Sequence, residues 1–244
     1  MPDIKHGLAD VSVVKLGTTA ISKVMHGTNL IWQPLPPHLV PTVGIVSTPD
    51  PGLIPTECVV VAKFYVTAWN DSINTDIVYH GNGGGSMAWR WAFYGGLLYA
   101  QIYPDAWTGR PDWSANSTDL TNAGVTPGHD IWMAVTFDLD NGAGAIAVRP
   151  YVSTNGTTYT PIAATTTQTP NVTNTFDTAD PLRVGGNDKL NGRIYWAELR
   201  SGLNPVAGTI QWRFDAAEYP GTGLSYVDPR GKTWTLSNAS AIVL

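Results

Sequence analysis

Asp130-Ile131-Trp132-Met133-Ala134-Val135-Thr136-Phe137-Asp138 reads as one β-strand with two unlike faces. Side chains on a strand point alternately to opposite sides, so Ile131, Met133, Val135 and Phe137 share one face and Trp132, Ala134, Thr136 and Asp138 the other. The first set is wholly apolar and belongs in a core. Asp138-Leu139-Asp140-Asn141-Gly142 follows, and one strand later comes Ser153-Thr154-Asn155-Gly156. Asn-Gly is a strong short-range signal for a tight hairpin turn, so the neighbouring strands are expected to pair antiparallel.

Outward from this hairpin the same texture continues. Short strands are expected over 58–68, 76–80, 87–93, 97–103, 145–153, 182–185, 192–200, 209–214, 225–227, 233–237 and 241–244, punctuated by Gly, Asn, Asp and Pro. Charged residues make up only 14% of the 244 and hydrophobic ones 43%, which leaves few Glu, Lys and Arg to build helices but ample material for a core. No window of a dozen residues repeats its apolar positions with a helical period, so little or no helix is expected.

The net charge of -5 is mild and the basic residues are dispersed, which argues against a nucleic-acid partner. Cys58, the one cysteine, lies in the apolar run Cys58-Val59-Val60-Val61 and reads as a buried, inert thiol. The first residues lack a basic stretch followed by an apolar one, and nowhere do eighteen apolar residues run together, so neither export nor a membrane is expected. Synthesis in a cytoplasm is the corresponding expectation.

Near the N-terminus Val14-Lys-Leu-Gly17-Thr18-Thr-Ala-Ile21 is echoed ten residues on by Val24-Met-His-Gly27-Thr28-Asn-Leu-Ile31-Trp32. Each copy reads strand, Gly turn, strand. An isolated hairpin is marginal in water, so this segment, residues 1–32, is expected to pack on a neighbour through Leu16, Ile21, Leu30, Ile31 and Trp32. Residues 33–41 carry four prolines and read as a semi-rigid linker, or else as a segment hugging the main domain. The main domain then runs from 42 to 244.

The strand at 130–138, the block Ala147-Val-Arg-Pro-Tyr151-Val-Ser-Thr-Asn155-Gly156, and Leu182-Arg-Val-Gly185-Gly186 with Leu190-Asn-Gly192-Arg-Ile194-Tyr-Trp-Ala-Glu-Leu199 together resemble concanavalin A-like (laminin G-like) domains. The resemblance covers about residues 42–244 and implies an all-β jelly-roll sandwich. No cofactor or metal is expected, calcium at the sandwich rim, as in some relatives, being the alternative. The opening stretch through Gly27-Thr-Asn-Leu-Ile-Trp32 and the late Trp212-Arg-Phe-Asp215 with Ser225-Tyr-Val-Asp228-Pro-Arg-Gly231-Lys-Thr-Trp234 resemble minor tail proteins of phages infecting actinobacteria. That resemblance implies a virion structural protein, tail rather than capsid surface, whose partners are other virion proteins and further copies of itself, with a trimer as the first guess. A capsid decoration protein and a free carbohydrate-binding or glycan-hydrolysing protein are the alternatives.

Glycosidases on this fold need two carboxyl groups facing one cleft. The chain has three glutamates, Glu57, Glu198 and Glu218, and Glu218 stands three residues from Asp215, a spacing that aims the two to opposite sides of a strand. No catalytic residue is assigned, and the protein is expected not to be an enzyme. Gly83-Gly84-Gly85-Ser86 lacks the glycine that would follow a nucleophilic serine, and Gly231-Lys232-Thr233 has Tyr226 where a phosphate loop needs its first glycine, so the latter reads as a hairpin turn. The five histidines are isolated, which disfavours zinc. Asp138-Leu-Asp140-Asn-Gly142 has the look of a calcium loop, but Arg149 occupies the closing position. The asparagine sequons read as turns.

The stretch Tyr103-Pro-Asp105-Ala-Trp107-Thr-Gly-Arg110-Pro-Asp112-Trp113 combines aromatic rings with carboxylates and a guanidinium, the groups that stack on a pyranose and fix its hydroxyls. Asp105, Trp107, Arg110, Asp112 and Trp113 are thus the carbohydrate-binding candidates, host cell-wall polysaccharide being the expected ligand. The competing and favoured reading is that the two tryptophans fold back as a cap on the sandwich or sit at a subunit interface.

Overall fold

The computed structural model describes residues 35–52, 54–68, 75–81, 87–94, 97–103, 112–162, 165–169, 179–186 and 190–244, together with 14–16, 19–21, 23–26 and 29–32. Two hairpins come first: β1 (Val14–Leu16) with β2 (Thr19–Ile21), and β3 (Val24–His26) with β4 (Asn29–Trp32). Each forms its own two-stranded antiparallel sheet, as the ten-residue repeat implies.

The sandwich follows as β5 (His38–Leu39), β6 (Val46–Thr48), β7 (Glu57–Val66), β8 (Thr75–Gly81), β9 (Met87–Tyr94), β10 (Leu97–Ile102) and β11 (Asp112–Asn116). A single turn and a half of helix, α1 (Ser117–Asn122), leads to β12 (Asp130–Asp138), β13 (Ile146–Ser153), β14 (Thr160–Pro161) and β15 (Thr166–Gln168). Then come β16 (Leu182–Val184), β17 (Gly192–Ser201), β18 (Ile210–Asp215), β19 (Ser225–Val227), β20 (Thr233–Leu236) and β21 (Ile242–Val243). One antiparallel sheet has the order β11-β10-β9-β8-β16-β6-β20-β19. The other runs β14-β13-β12-β7-β17-β5-β21, with β18 also on β17 and β15 also on β13. This is the jelly-roll sandwich the family resemblance implies.

Aromatic rings knit the two sheets across their shared core. Trp89 of the first sheet stacks on Trp212 of the second at 6.1 Å and 9°. Phe64 meets Trp91 edge-on at 6.0 Å, and Phe214 meets Trp234 at 5.5 Å. Rings of this size each bury some 150–250 Å² and dominate the apolar surface removed from water. Ile131, Met133, Val135 and Phe137 of β12 all lie in this core, as their alternation requires.

Both Asn-Gly turns join antiparallel strands, β12 to β13 and β13 to β14. Gly231, with φ +81°, turns the hairpin before Trp234. There Asp228 accepts from Arg230 N at 2.8 Å, Lys232 N at 2.9 Å and Trp234 Nε1 at 3.1 Å. Burial alone would raise this carboxyl; the three donors and the Arg230 charge outweigh it and hold the group below its ordinary range.

The prolines of 33–41 do not keep the whole segment off the domain. His38 and Leu39 form β5, with Leu39 pairing Ile194 and Ile242, and Val40 N donates to Ala241 O at 2.7 Å. The sandwich therefore starts at 38 rather than 42: Leu39 is an apolar residue between prolines, and burying it completely outweighs the lost amide donors. Cys58 is fully buried, and that burial pushes its thiol well above the ordinary range.

The fold perturbs the Asp76 carboxyl on β8. Burial pushes it up to about 6, opposed by the charge of Arg90. Its folded value exceeds its unfolded one, so its contribution to stability is fully present below about pH 4 and is lost as pH rises through about 6. Asp76→Asn should leave stability at pH 4 nearly unchanged and raise it at pH 8 by up to about 3 kcal/mol, read from urea midpoints at both values. Equal gains at the two pH values would refute the assignment.

Candidate functional site

The sequence candidates fall at the margin of what is described. Asp105, Trp107 and Arg110 lie outside the described residues. Asp112 and Trp113 open β11, the edge strand of the eight-stranded sheet, opposite Gln101 and Ala100. Leu16 and Ile21 close β1 and β2, and Leu30, Ile31 and Trp32 fall in β4.

A different constellation is assembled on the outward face of the nine-stranded sheet. Its origin is a bulge in β17. Ile194 pairs with Phe64 and Trp196 with Lys63, so Tyr195 is the extra residue and the alternation reverses there. Ile194, Ala197 and Leu199 consequently point into the core, and Trp196, Glu198 and Arg200 point out. β18 places Arg213 opposite Glu198 and Asp215 opposite Trp196.

Glu198 is 1% exposed although it stands on the outer side of its sheet. Arg200 Nε donates to its Oε1 at 2.7 Å and Arg213 Nη1 to its Oε2 at 3.3 Å. Arg213 Nη2 donates to Asp215 Oδ2 at 2.6 Å, and the same guanidinium lies 5.1 Å from the Trp196 ring centroid. The pairs leave one positive charge uncancelled among Glu198, Arg200 and Arg213, with Asp215 neutralising it from the side. Beneath them Val59, Val61 and Ala134 form a small outer apolar cluster covered by Tyr151, Tyr159 and Trp196. β7 is thus buried on both faces, which is why its sequence is apolar without alternation from Cys58 to Ala62.

Val61, Trp196, Glu198, Arg200 and Arg213 line a pocket of about 280 Å³ whose remaining walls are the β13–β14 loop, Tyr159 and the loop at Pro205 and Val206. The β13–β14 loop forms one wall and is fixed internally. Asn155 Oδ1 accepts from Thr157 N and Thr158 N, both at 2.9 Å, and Ser153 Oγ accepts from Gly156 N at 2.8 Å. Gly156 has φ +74°, and a Cβ there would stand 2.7 Å from Trp132 Nε1, so the loop closes on Trp132 only with glycine. The Tyr159 hydroxyl is pushed up to about 12, first by burial and then by the Glu198 charge, and stays a proton donor at neutral pH.

On the far side of that loop a second pocket, of about 410 Å³, is lined by Thr126, His129, Asp130, Trp132 and Ser153 among others. Lys63 Nζ bonds Asp130 at 2.8 Å while lying 4.7 Å from the Trp132 ring and 4.5 Å from that of Tyr195. Tyr195 donates to Asp130 Oδ1 at 2.8 Å.

One side-chain oxygen each of Asp138, Asp140 and Asn141 is engaged within the turn. Asp138 accepts from Asp140 N, Asp140 from Gly142 N, and Asn141 from Ala143 N and Ala145 N. Among the described residues no three His, Cys, Asp or Glu side chains converge as a metal would require.

Fold and site together define an all-β jelly-roll sandwich with a paired-charge, aromatic pocket on one outer face. Several solved structures align with parts of the chain at low identity. The binding domain of botulinum neurotoxin DC in complex with rat synaptotagmin II aligns with 61% of this chain and 33% of its own, at 10% identity and a TM-score of 0.39. The botulinum neurotoxin serotype D ligand binding domain in complex with N-acetylneuraminic acid aligns over 67% and 38%, at 10% identity and 0.42. A native heptameric SAP-like pentraxin from Limulus polyphemus aligns over 70% and 78%, at 11% and 0.40. The chain thus spans about a third of the botulinum neurotoxin binding domains it matches. No protein-family model matches it, and no curated protein does.

Proposed function

We propose that the protein is a non-enzymatic structural component of a bacteriophage virion, a minor tail protein whose sandwich binds host cell-wall carbohydrate. Residues 1–32 dock on virion neighbours through Leu16, Ile21, Leu30, Ile31 and Trp32, and the sandwich faces outward, in a homo-oligomer. What supports the glycan part is one observation: a carboxylate buried on the open side of a sheet, held between two arginines at the base of a pocket walled by Tyr159 and Trp196. Rigid aromatic walls with a few fixed polar groups are what a sugar ring needs. Both Glu198 oxygens accept guanidinium bonds, which occupies the carboxylate and supports binding over hydrolysis. The virion part rests on the resemblance of the N-terminal and late segments to phage minor tail proteins.

Sedimentation of the labelled protein with insoluble actinobacterial cell walls tests the first part. The wild type should co-sediment without releasing reducing sugar, and Tyr159→Ala should weaken binding about tenfold. Steady release of reducing ends would make it an enzyme, and unchanged binding by the variant would move the site elsewhere. Cryo-electron microscopy of virions should find residues 1–32 against a tail subunit; absence of the chain from particles ends the virion reading.

A further inference from the structure

We infer that the pocket between Tyr159, Trp196 and Arg200 selects a saccharide carrying a carboxylate, such as a uronic acid residue, over its neutral counterpart; this rests on the glycan-binding reading. The inference follows from which hydrogen-bonding groups the fold has already used. Neutral sugars are ordinarily held by a mixture of acceptors and donors, with a free carboxylate taking two hydroxyl protons. Here the one carboxylate lining the pocket, Glu198, has a side chain only 2% exposed and has both oxygens engaged. It is not available to a ligand.

The donors are. Arg200 uses only Nε on Glu198, so its two terminal nitrogens have no partner among the described residues, and its side chain keeps 20% of its surface. Tyr159, with its hydroxyl held protonated, adds another donor on the facing wall. Thr157 Oγ1 already donates to Asn155 Oδ1 at 3.0 Å and is left as an acceptor. A planar guanidinium with both ends free presents parallel N–H groups that match two oxygens of one carboxylate, giving a charge-assisted, bidentate pair. Glu198 holds that guanidinium in place from behind, so little side-chain freedom is lost when a ligand arrives. Asp215 bonds Nη2 of Arg213 and Glu198 bonds Nε of Arg200, so the four charges sum to zero and a ligand carboxylate would be met by the unused terminal nitrogens of Arg200.

The test compares matched pairs: oligogalacturonate against its carboxyl-reduced galactose oligomer, by isothermal titration on the full chain, alongside cell-wall sedimentation. The acidic member should bind at least tenfold more tightly, and the difference should shrink steeply between 50 mM and 500 mM salt. Arg200→Gln should remove the difference. Because that variant leaves Glu198 with Arg213 as its one partner, Glu198→Gln/Arg200→Gln, which keeps the pocket neutral and its shape, should remove it too while melting as a folded protein. Equal affinity for the two oligomers, or a preference that survives the double variant, overturns the inference and leaves wall binding intact. Wall binding with neither oligomer bound also overturns it. Loss of wall binding as well ends the glycan reading itself.

Discussion

Gly192→Ala should be among the most damaging single substitutions in the sandwich, costing about 3 kcal/mol or more and leaving little soluble protein at 37 °C. A Cβ at this position would stand 2.0 Å from Tyr65 O, 3.1 Å from Tyr65 C and 3.2 Å from Val66 Cα, all backbone atoms of the neighbouring strand. Backbone cannot swing aside as a side-chain tip can. The two strands would have to separate where β17 begins its pairing with β7, and there Thr67 N and Thr67 Oγ1 both donate to Asn191 O at 3.0 Å. Against a total stability of about 5–15 kcal/mol for a domain, such a loss is a large fraction. The control is Gly202→Ala. That residue has φ +80° but nothing within 4 Å of an added Cβ, so only conformational strain applies, about 1 kcal/mol. Urea denaturation of the two variants separates steric from conformational cost. Equal midpoints would mean that the close approach at Gly192 does not exist.

Much of the sandwich around Gly192 is legible in the sequence. β12 declares its core face through strict alternation, and the Asn-Gly pairs fix where β13 begins and ends. These are local signals, carried by residues two to four apart. The outer pocket is not local. Its walls come from the β13–β14 loop, β17, the loop after β17, and β18, and no spacing rule joins Tyr159 to Trp196 or Arg213.

β17 hides its polar face for a further reason. Ile194-Tyr195-Trp196-Ala197-Glu198 keeps no single period, because the bulge at Tyr195 reverses inside and outside midway. Only from Trp196 on does the alternation of Trp196, Glu198 and Arg200 against Ala197 and Leu199 reappear, three outward residues of binding chemistry that the sequence does display. β5 is missed because two residues between prolines give no pattern. α1 is missed because six residues, Ser-Thr-Asp-Leu-Thr-Asn, cover too few turns to show a period.

Glu198→Ala is the second substitution expected to cost much, about 3–5 kcal/mol, the usual result of removing one partner from a buried ion pair. The carboxylate is 2% exposed as a side chain, while Arg200 and Arg213 are 20% and 26% exposed. Truncation leaves Arg200 with no anion, whereas Arg213 keeps Asp215 at 2.6 Å. Arg200→Ala should cost less than Glu198→Ala, because its removal still leaves Glu198 paired with Arg213.

Replacing the whole set is a different matter. Charge pairs of this kind can be exchanged for apolar residues of similar volume at little loss or even a gain in stability. Glu198→Leu/Arg200→Met/Arg213→Met, with Asp215→Asn to avoid stranding that acid, should therefore denature within about 1 kcal/mol of the wild type while failing to bind cell wall. That pairing of outcomes would mean the charges are retained for recognition and not for the fold. A multiple variant that is stable and still binds would assign recognition to another surface, and a Glu198→Ala variant that loses under about 1 kcal/mol would mean the carboxylate is solvated and its arginines are free to move.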